Sequence, residues 1–415
     1  MKVFYTRLIA IILFISPNFV NAQEEEAASD FGINFGGYVR YEMFYDTYNS
    51  IDSRDGNIYL YPMRPTEDLN GDDINTTGQL EMLALQTRLS GSITGPEAFG
   101  AKTSGKIEVD FEGTSQSFSR LIRLRHAFVN LDWGNTELLL GQTWHPMFVA
   151  SCFPKVLSFG AGLPFQPFSR SPQARLTQQV SDNLSLMVAA LIHGYNRSTG
   201  PYEAQRNSGL PDMQFQMKYT QNGLHAGFTA GYKFLKPRLV TSAGFKTNET
   251  VGSYNLQGFL KVQTSSFIAK LQGVVGENLT NYTMIGGYGI EAGTTDLQGD
   301  YAYTNMNTMS VWTEIMTNKE KVNVGLFAGY SENLGFSDEL DVSGGSGIVG
   351  ERNADIAHMY RISPRVVFSS GSMDLGAELM YTGAAYGTQF DEFYKAEETE
   401  ESSNLRFLIS AKYVF

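Results

Sequence analysis

Ser403-Asn404-Leu405-Arg406-Phe407-Leu408-Ile409-Ser410-Ala411-Lys412-Tyr413-Val414-Phe415 closes the chain with a period of two. Leu405, Phe407, Ile409, Ala411, Tyr413 and Phe415 share one face, and Asn404, Arg406, Ser410 and Lys412 share the other. That is the alternation of a β-strand, whose successive side chains point to opposite sides. A strand with one apolar and one wet face fits the wall of a membrane barrel, with lipid outside and water within. The edge strand of a soluble sandwich alternates in the same way, so the rest of the chain has to decide between them.

The opposite end carries the marks of export. Lys2 and Arg7 form a basic region, Leu8 to Ile15 a short apolar core, Pro17 a helix breaker and Val20-Asn21-Ala22 a small-residue cleavage site, the pattern of a signal peptide over residues 1–22. Residues 23–31, with Glu24-Glu25-Glu26, are expected to be a short periplasmic tail, and 32–415 the barrel. No stretch approaches the roughly 18 to 20 apolar residues of a transmembrane helix. A mean hydropathy of −0.20 suits a wall that half faces water, and 28 Phe and 22 Tyr against 3 Trp suit strands and interfacial girdles. Cys152 stands alone, which excludes an intrachain disulfide and points to an incidental thiol. The net charge is −12, with acids in segments expected to be external loops: Asp46 to Asp73, Glu332 to Asp341, and Asp391, Glu392 and Glu397 to Glu401. No basic patch with interleaved aromatics supports nucleic-acid binding.

Alternating segments fall at 33–46, 79–94, 103–112, 121–132, 136–144, 172–180, 184–195, 212–220, 224–234, 253–264, 267–277, 308–316, 321–330, 356–369, 373–383 and 403–415. The gaps between them switch between short and long. Asp132-Trp133-Gly134-Asn135, Ser181-Asp182-Asn183, Gln221-Asn222-Gly223, Ser265-Ser266 and Ser370-Gly371-Ser372 are short connections of turn-forming residues. The fold class is therefore all-β: a transmembrane antiparallel up-and-down barrel of about sixteen strands with long external loops. Residues 234–252 and 278–308 are each long enough to hide a further hairpin, so fourteen or eighteen strands stay open.

The alternation ending on Phe415 resembles the C-terminal assembly signal of bacterial outer-membrane barrels, which implies the barrel assembly machinery as a partner. Leu121-Ile122-Arg123-Leu124-Arg125-His126-Ala127-Phe128-Val129, followed by Leu138-Leu139-Leu140-Gly141-Gln142-Thr143-Trp144, resembles strands four and five of trimeric outer-membrane porins, most closely the DcaP-like porins associated with small dicarboxylates. The resemblance implies a homotrimer in the outer membrane of a Gram-negative bacterium and a third loop that narrows the pore. Only about ten residues separate Gln23 from the first strand, too few for the periplasmic coiled coil that such proteins can carry, so trimer contacts would rest on the barrel walls. The third loop, 145–171, agrees on its own grounds. It holds Phe148, Phe153, Phe159, Phe165 and Phe168 with Lys155 and Arg170, and no Asp or Glu. Five Phe on an exposed loop would invite association, so it is expected to fold into the lumen; the alternative is a loop covered by a partner.

Taking the apolar set as outward, parity points Arg40, Arg88, Lys106, Glu108, Asp110, Arg123, Arg125, Arg175, Arg361, Arg365 and Arg406 inward, with Lys155 and Arg170 on the third loop. These are the candidate pore-lining residues. They either pair with Glu108, Asp110, Glu112, Asp374 and Glu378 and stiffen the wall, or present forked donors to passing carboxylates or phosphates. The same parity puts His126 and Asn130 on the lipid face of strand four, a candidate subunit contact.

The expected function is passive diffusion of small hydrophilic solutes with a modest preference for anions such as carboxylates. Lipid, the sister subunits and small anionic solutes would be the partners. An adhesin or structural barrel acting through its acidic loops is the alternative. A hydrolase is the weakest reading, since none of the five His lies in a catalytic or metal-binding motif. No catalytic residue, metal site or cofactor is expected.

Overall fold

A computed structural model describes residues 31–415; the expected signal peptide and all but the last residue of the expected tail lie outside them. Sixteen antiparallel wall strands run in chain order: β1 Gly32–Asp46, β2 in two pieces (Gln79–Leu83 and Arg88–Ala98), β3 Ala101–Asp110, β4 Arg123–Asp132, β5 Thr136–Trp144, β6 Arg170–Ser181, β7 Leu184–Leu191, β8 Asp212–Gln221, β9 Leu224–Leu235, β10 Val251–Gln263, β11 Phe267–Glu277, β12 Tyr303–Thr317, β13 Val322–Phe336, β14 Ile356–Ser370, β15 Met373–Phe390 and β16 Ala396–Val414. Each pairs with its neighbours in sequence. β16 then returns to β1, with Tyr38 opposite Val414 and Asp46 opposite Arg406. Phe415 completes the closure: its N–H donates to the Gly37 carbonyl at 3.1 Å, and its carbonyl accepts from Gly37 at 3.0 Å.

Phe35, Leu89, Ile107, Leu176, Leu256 and Ile409 point outward and are exposed. An apolar belt around a closed wall is at home in a bilayer, where no water competes for the ladder hydrogen bonds.

The strand count agrees with the alternation. Neither long segment adds a wall hairpin: 278–302 holds a 3-10 turn at Leu279–Tyr282 and a short strand, Gly286–Ile290, which pairs with β12 and with Ile348–Arg352 of the seventh loop. Wall lengths differ from the sequence reading. β12, β13, β15 and β16 extend beyond the expected segments, so Glu332 and Glu397 to Glu401, expected in loops, lie on strands. Glu398, Glu400 and Glu401 stand opposite Gln389, Tyr386 and Ala385 in the β15 ladder. Above the belt both faces meet water, so the ladder continues where the apolar alternation has stopped.

Two irregularities re-aim side chains. β2 breaks at 84–87, turning Leu85 and Gln86 inward, where Gln86 donates to Glu42 at 2.6 Å. On β4 the register slips, so that Glu108 faces His126 while Val109 faces Leu124. Arg125 is the extra residue of this bulge. Below it the parity reverses.

Candidate functional site

The third loop lies inside the barrel, as its composition predicts. Its main chain is held by wall side chains. Glu314 on β12 accepts from Lys155 N at 2.7 Å, and Glu378 on β15 accepts from Ser158 N at 3.0 Å and from Leu157 N. Gln257 donates to the Met147 carbonyl at 2.7 Å, Lys270 to Phe153 at 2.8 Å, and Ser310 to Phe165 at 3.0 Å. Phe148, Phe159, Phe165 and Phe168 pack with Phe259, Trp312 and Phe327 of the wall into one buried cluster. At roughly 1.5–3 kcal/mol for each large side chain buried, this cluster strongly favours the docked loop.

The first loop also enters the lumen, which the sequence reading missed. Its hairpin, Ser50–Ser53 with Ile58–Pro62, is gripped through carbonyls: Arg406 donates to Gly56 at 2.9 Å, Arg361 to Leu60 at 2.6 Å and Tyr386 to Pro62 at 2.8 Å. Arg406 lies 4.1 Å from the Phe44 ring centroid and 4.4 Å from that of Tyr59, and Arg361 lies 4.7 Å from Tyr59 and 5.4 Å from Phe165. This cation–π column spans from β1 to the third loop. It also corrects two expectations: Arg361 and Arg406 are 3% and 1% exposed, and they brace loops rather than face water.

Arg123, Arg125, Glu108 and Asp110 form a second buried set. Arg123 chelates Asp110 through two nitrogens at 3.0 and 2.8 Å, and Arg125 bridges Glu108 and Asp110 at 2.7 Å each. Such fork-to-carboxylate contacts stiffen the wall. Lys106 pairs with Glu108 at 3.1 Å, which leaves it outside the open space described below. Arg170 is buried between the rings of Trp144 and Phe168, while Arg175 donates to Gln173 and to the Trp144 carbonyl.

His126 is not lipid-facing. The bulge at Arg125 turns it inward, where Nδ1 lies 3.0 Å from the Thr143 hydroxyl and the ring meets Trp144 edge-on. Asn130 follows the reversed parity, standing opposite Leu139, which is buried on the lumen side. The proposed subunit contact therefore loses these two residues.

On the short-turn side of the third loop lies a chamber of 670 Å³. Of the thirteen expected lining residues, Arg40, Arg88, Lys155 and Arg365 border it; the others do not. Lys261, Lys270 and Lys412 complete its cations, and Asp374 is its single lining acid. Three carboxylates stand behind them. Glu42 pairs with Arg40 at 2.8 Å, Glu108 with Arg88 at 4.0 Å, and Glu314 serves both Lys270 and Arg365 at 2.6 and 2.7 Å. Lys155, Lys261 and Lys412 enter no ion pair among the described residues. Trp144, Phe148 and Phe153 contribute to its apolar surface. Lys261 and Lys270 escaped the sequence reading, although strand parity alone places both inward.

A scan against protein-family models finds no match, and neither does a search of curated proteins. Solved structures do match. The outer membrane channel DcaP of Acinetobacter baumannii superposes with a TM-score of 0.68 at 17% identity, covering 95% of this chain and 100% of that one. An anion-selective porin from Comamonas acidovorans gives 0.56 at 10% identity, covering 93% and 100%. OmpT, an outer membrane protein of Vibrio cholerae, solved in a trimer form, gives 0.54 at 10%, covering 93% and 99%. At these identities the likeness is one of fold, and the fold is that of the porins.

Proposed function

We propose that this chain is a porin of the Gram-negative outer membrane that passes small hydrophilic solutes by diffusion and favours anions such as carboxylates. The observation that carries this reading is the chamber's charge: seven lining cations against one lining acid, with three of the lysines in no ion pair among the described residues. An aqueous gap between low-dielectric walls focuses such a field, raising the local anion concentration without any chemical step. Arg40, Arg88, Lys155, Lys261, Lys270, Arg365 and Lys412 are the selectivity residues in this reading. The trimer form of a porin-fold neighbour and the anion selectivity of another support assembly as a homotrimer and preference for anions. Export by cleavage near Ala22 and delivery to the assembly machinery through Phe415 complete the proposal.

Planar bilayers test it. Conductance steps in multiples of three, with a reversal potential of anionic sign under a salt gradient, are expected. A silent barrel, or a reversal potential of cationic sign, would overturn the reading.

A further inference from the structure

On the loop side of the barrel a second cavity, of 550 Å³, is bordered by Arg64, Glu351, Arg352, Asp355, Phe390 and Tyr394. Its charges balance, unlike those of the chamber. Arg352 enters no ion pair among the described residues, and its Nε is buried with no hydrogen-bond partner. Asp355 is short of positive charge in turn. Arg64 stands 3.9 Å away, at the limit of ion-pair contact, and gives another nitrogen to the Gly387 carbonyl. Burial raises the pKa of Asp355 above its usual value, with Arg64 opposing. An underused cation and an underused anion thus border one space. Beside them Phe390 and Tyr394 stack with centroids 4.2 Å apart, forming an apolar side.

We propose that this cavity binds a small zwitterion, an ammonium and a carboxylate carried on one apolar body as in an α-amino acid. Arg352 takes the carboxylate, Asp355 takes the ammonium, and the Phe390–Tyr394 pair covers the side chain. A guanidinium fork matches a carboxylate. An ion of one sign would satisfy one of these groups and meet repulsion from its like-charged neighbours, which is how the cavity discriminates. This site lies apart from the basic chamber and does not depend on conduction.

Calorimetry on the full chain in detergent tests it with three probes: L-leucine, 4-methylpentanoate, which lacks the ammonium, and 3-methylbutylamine, which lacks the carboxylate. Leucine should bind at least about tenfold more tightly than either analogue. Arg352→Gln and Asp355→Asn, each checked for heat-modifiable migration, should each remove that preference, while Lys155→Gln in the chamber should preserve it. Equal affinities for the three probes, no binding of leucine, or a preference indifferent to both cavity variants would overturn the proposal. The analogue comparison needs only the unmodified protein, so a variant that fails to fold does not rescue it.

Discussion

Replacing Lys155, Lys261 and Lys412 together by Gln removes the chamber cations that enter no ion pair among the described residues. An ion passing about 8 Å from each ammonium in water feels ~0.5 kcal/mol per charge. At 0.1 M salt the Debye length is about 10 Å and a little under half of that survives, so the three charges together favour an anion by roughly 0.7 kcal/mol and disfavour a cation equally. The difference, about 1.4 kcal/mol, is a tenfold change in the anion-to-cation permeability ratio. At 1 M salt the Debye length falls to about 3 Å and the same substitution should change the ratio by less than about twofold. Reversal potentials of unmodified and triple-variant channels, under equal concentration gradients centred on the two salt levels, give both numbers. Identical reversal potentials at low salt would refute the assignment of selectivity to these lysines. A shift that failed to shrink at high salt would show that the effect is not electrostatic.

Reversing Arg123 and Arg125 to Glu would gather four carboxylates where two now chelate two guanidiniums, so the expected result is loss of the folded, heat-modifiable barrel rather than altered selectivity; normal assembly with an inverted reversal potential would contradict the ion-pair geometry. Glu112, in the second loop, accepts from Asn57 of the first, and burial pushes its pKa up to about 7 from 4.5, with Arg123 opposing. Its folded carboxyl holds the proton more tightly than the unfolded one, so its contribution to docking is full below about pH 4.5 and is lost as pH rises through about 7. Hydrogen exchange of residues 50–62 should therefore quicken over that range, and less steeply, after correction for the intrinsic rate, in Glu112→Gln, where Asp52, its pKa raised by desolvation to about 6, is left to titrate; an unchanged profile would remove Glu112 as a cause. Deleting Phe415 removes both hydrogen bonds to Gly37, and the yield of barrel in the outer membrane should fall severalfold; normal yield on heat-modifiability gels would leave the closing residue without a role in assembly.

The wall was legible in the sequence because lipid on one side and water on the other force period two wherever the belt runs. Parity carried further than it was used, since Lys261 and Lys270 follow from it directly. It failed at β4, where one extra residue, Arg125, shifts every side chain below it to the opposite face and exchanges the environment of His126. No composition signal announces such a bulge. The third loop betrayed itself by carrying five Phe and no acid, whereas the first loop, rich in Asp, reads as solvated although Leu60 and Tyr61 are buried in the lumen. Its inward course depends on Arg361, Arg406 and Tyr386, which are about 300 or more residues away in sequence and become its neighbours only through barrel closure. The same distance hid the fate of the arginines, since whether an inward guanidinium meets water or a loop carbonyl depends on where the loops come to rest.

The wall holds the third loop by its main chain as well as through the buried Phe cluster. Glu314, Glu378, Gln257, Lys270, Arg361 and Ser310 grasp peptide N–H and carbonyl groups that any residue other than proline presents in full. Side chains on the chamber face, Lys155 foremost, are left free of that duty. The chamber face of the loop can therefore serve as an exchangeable surface on a fixed frame: a nanopore whose sensing residue is replaced, or derivatised after Lys155→Cys and Cys152→Ser, without redesign of the barrel that carries it.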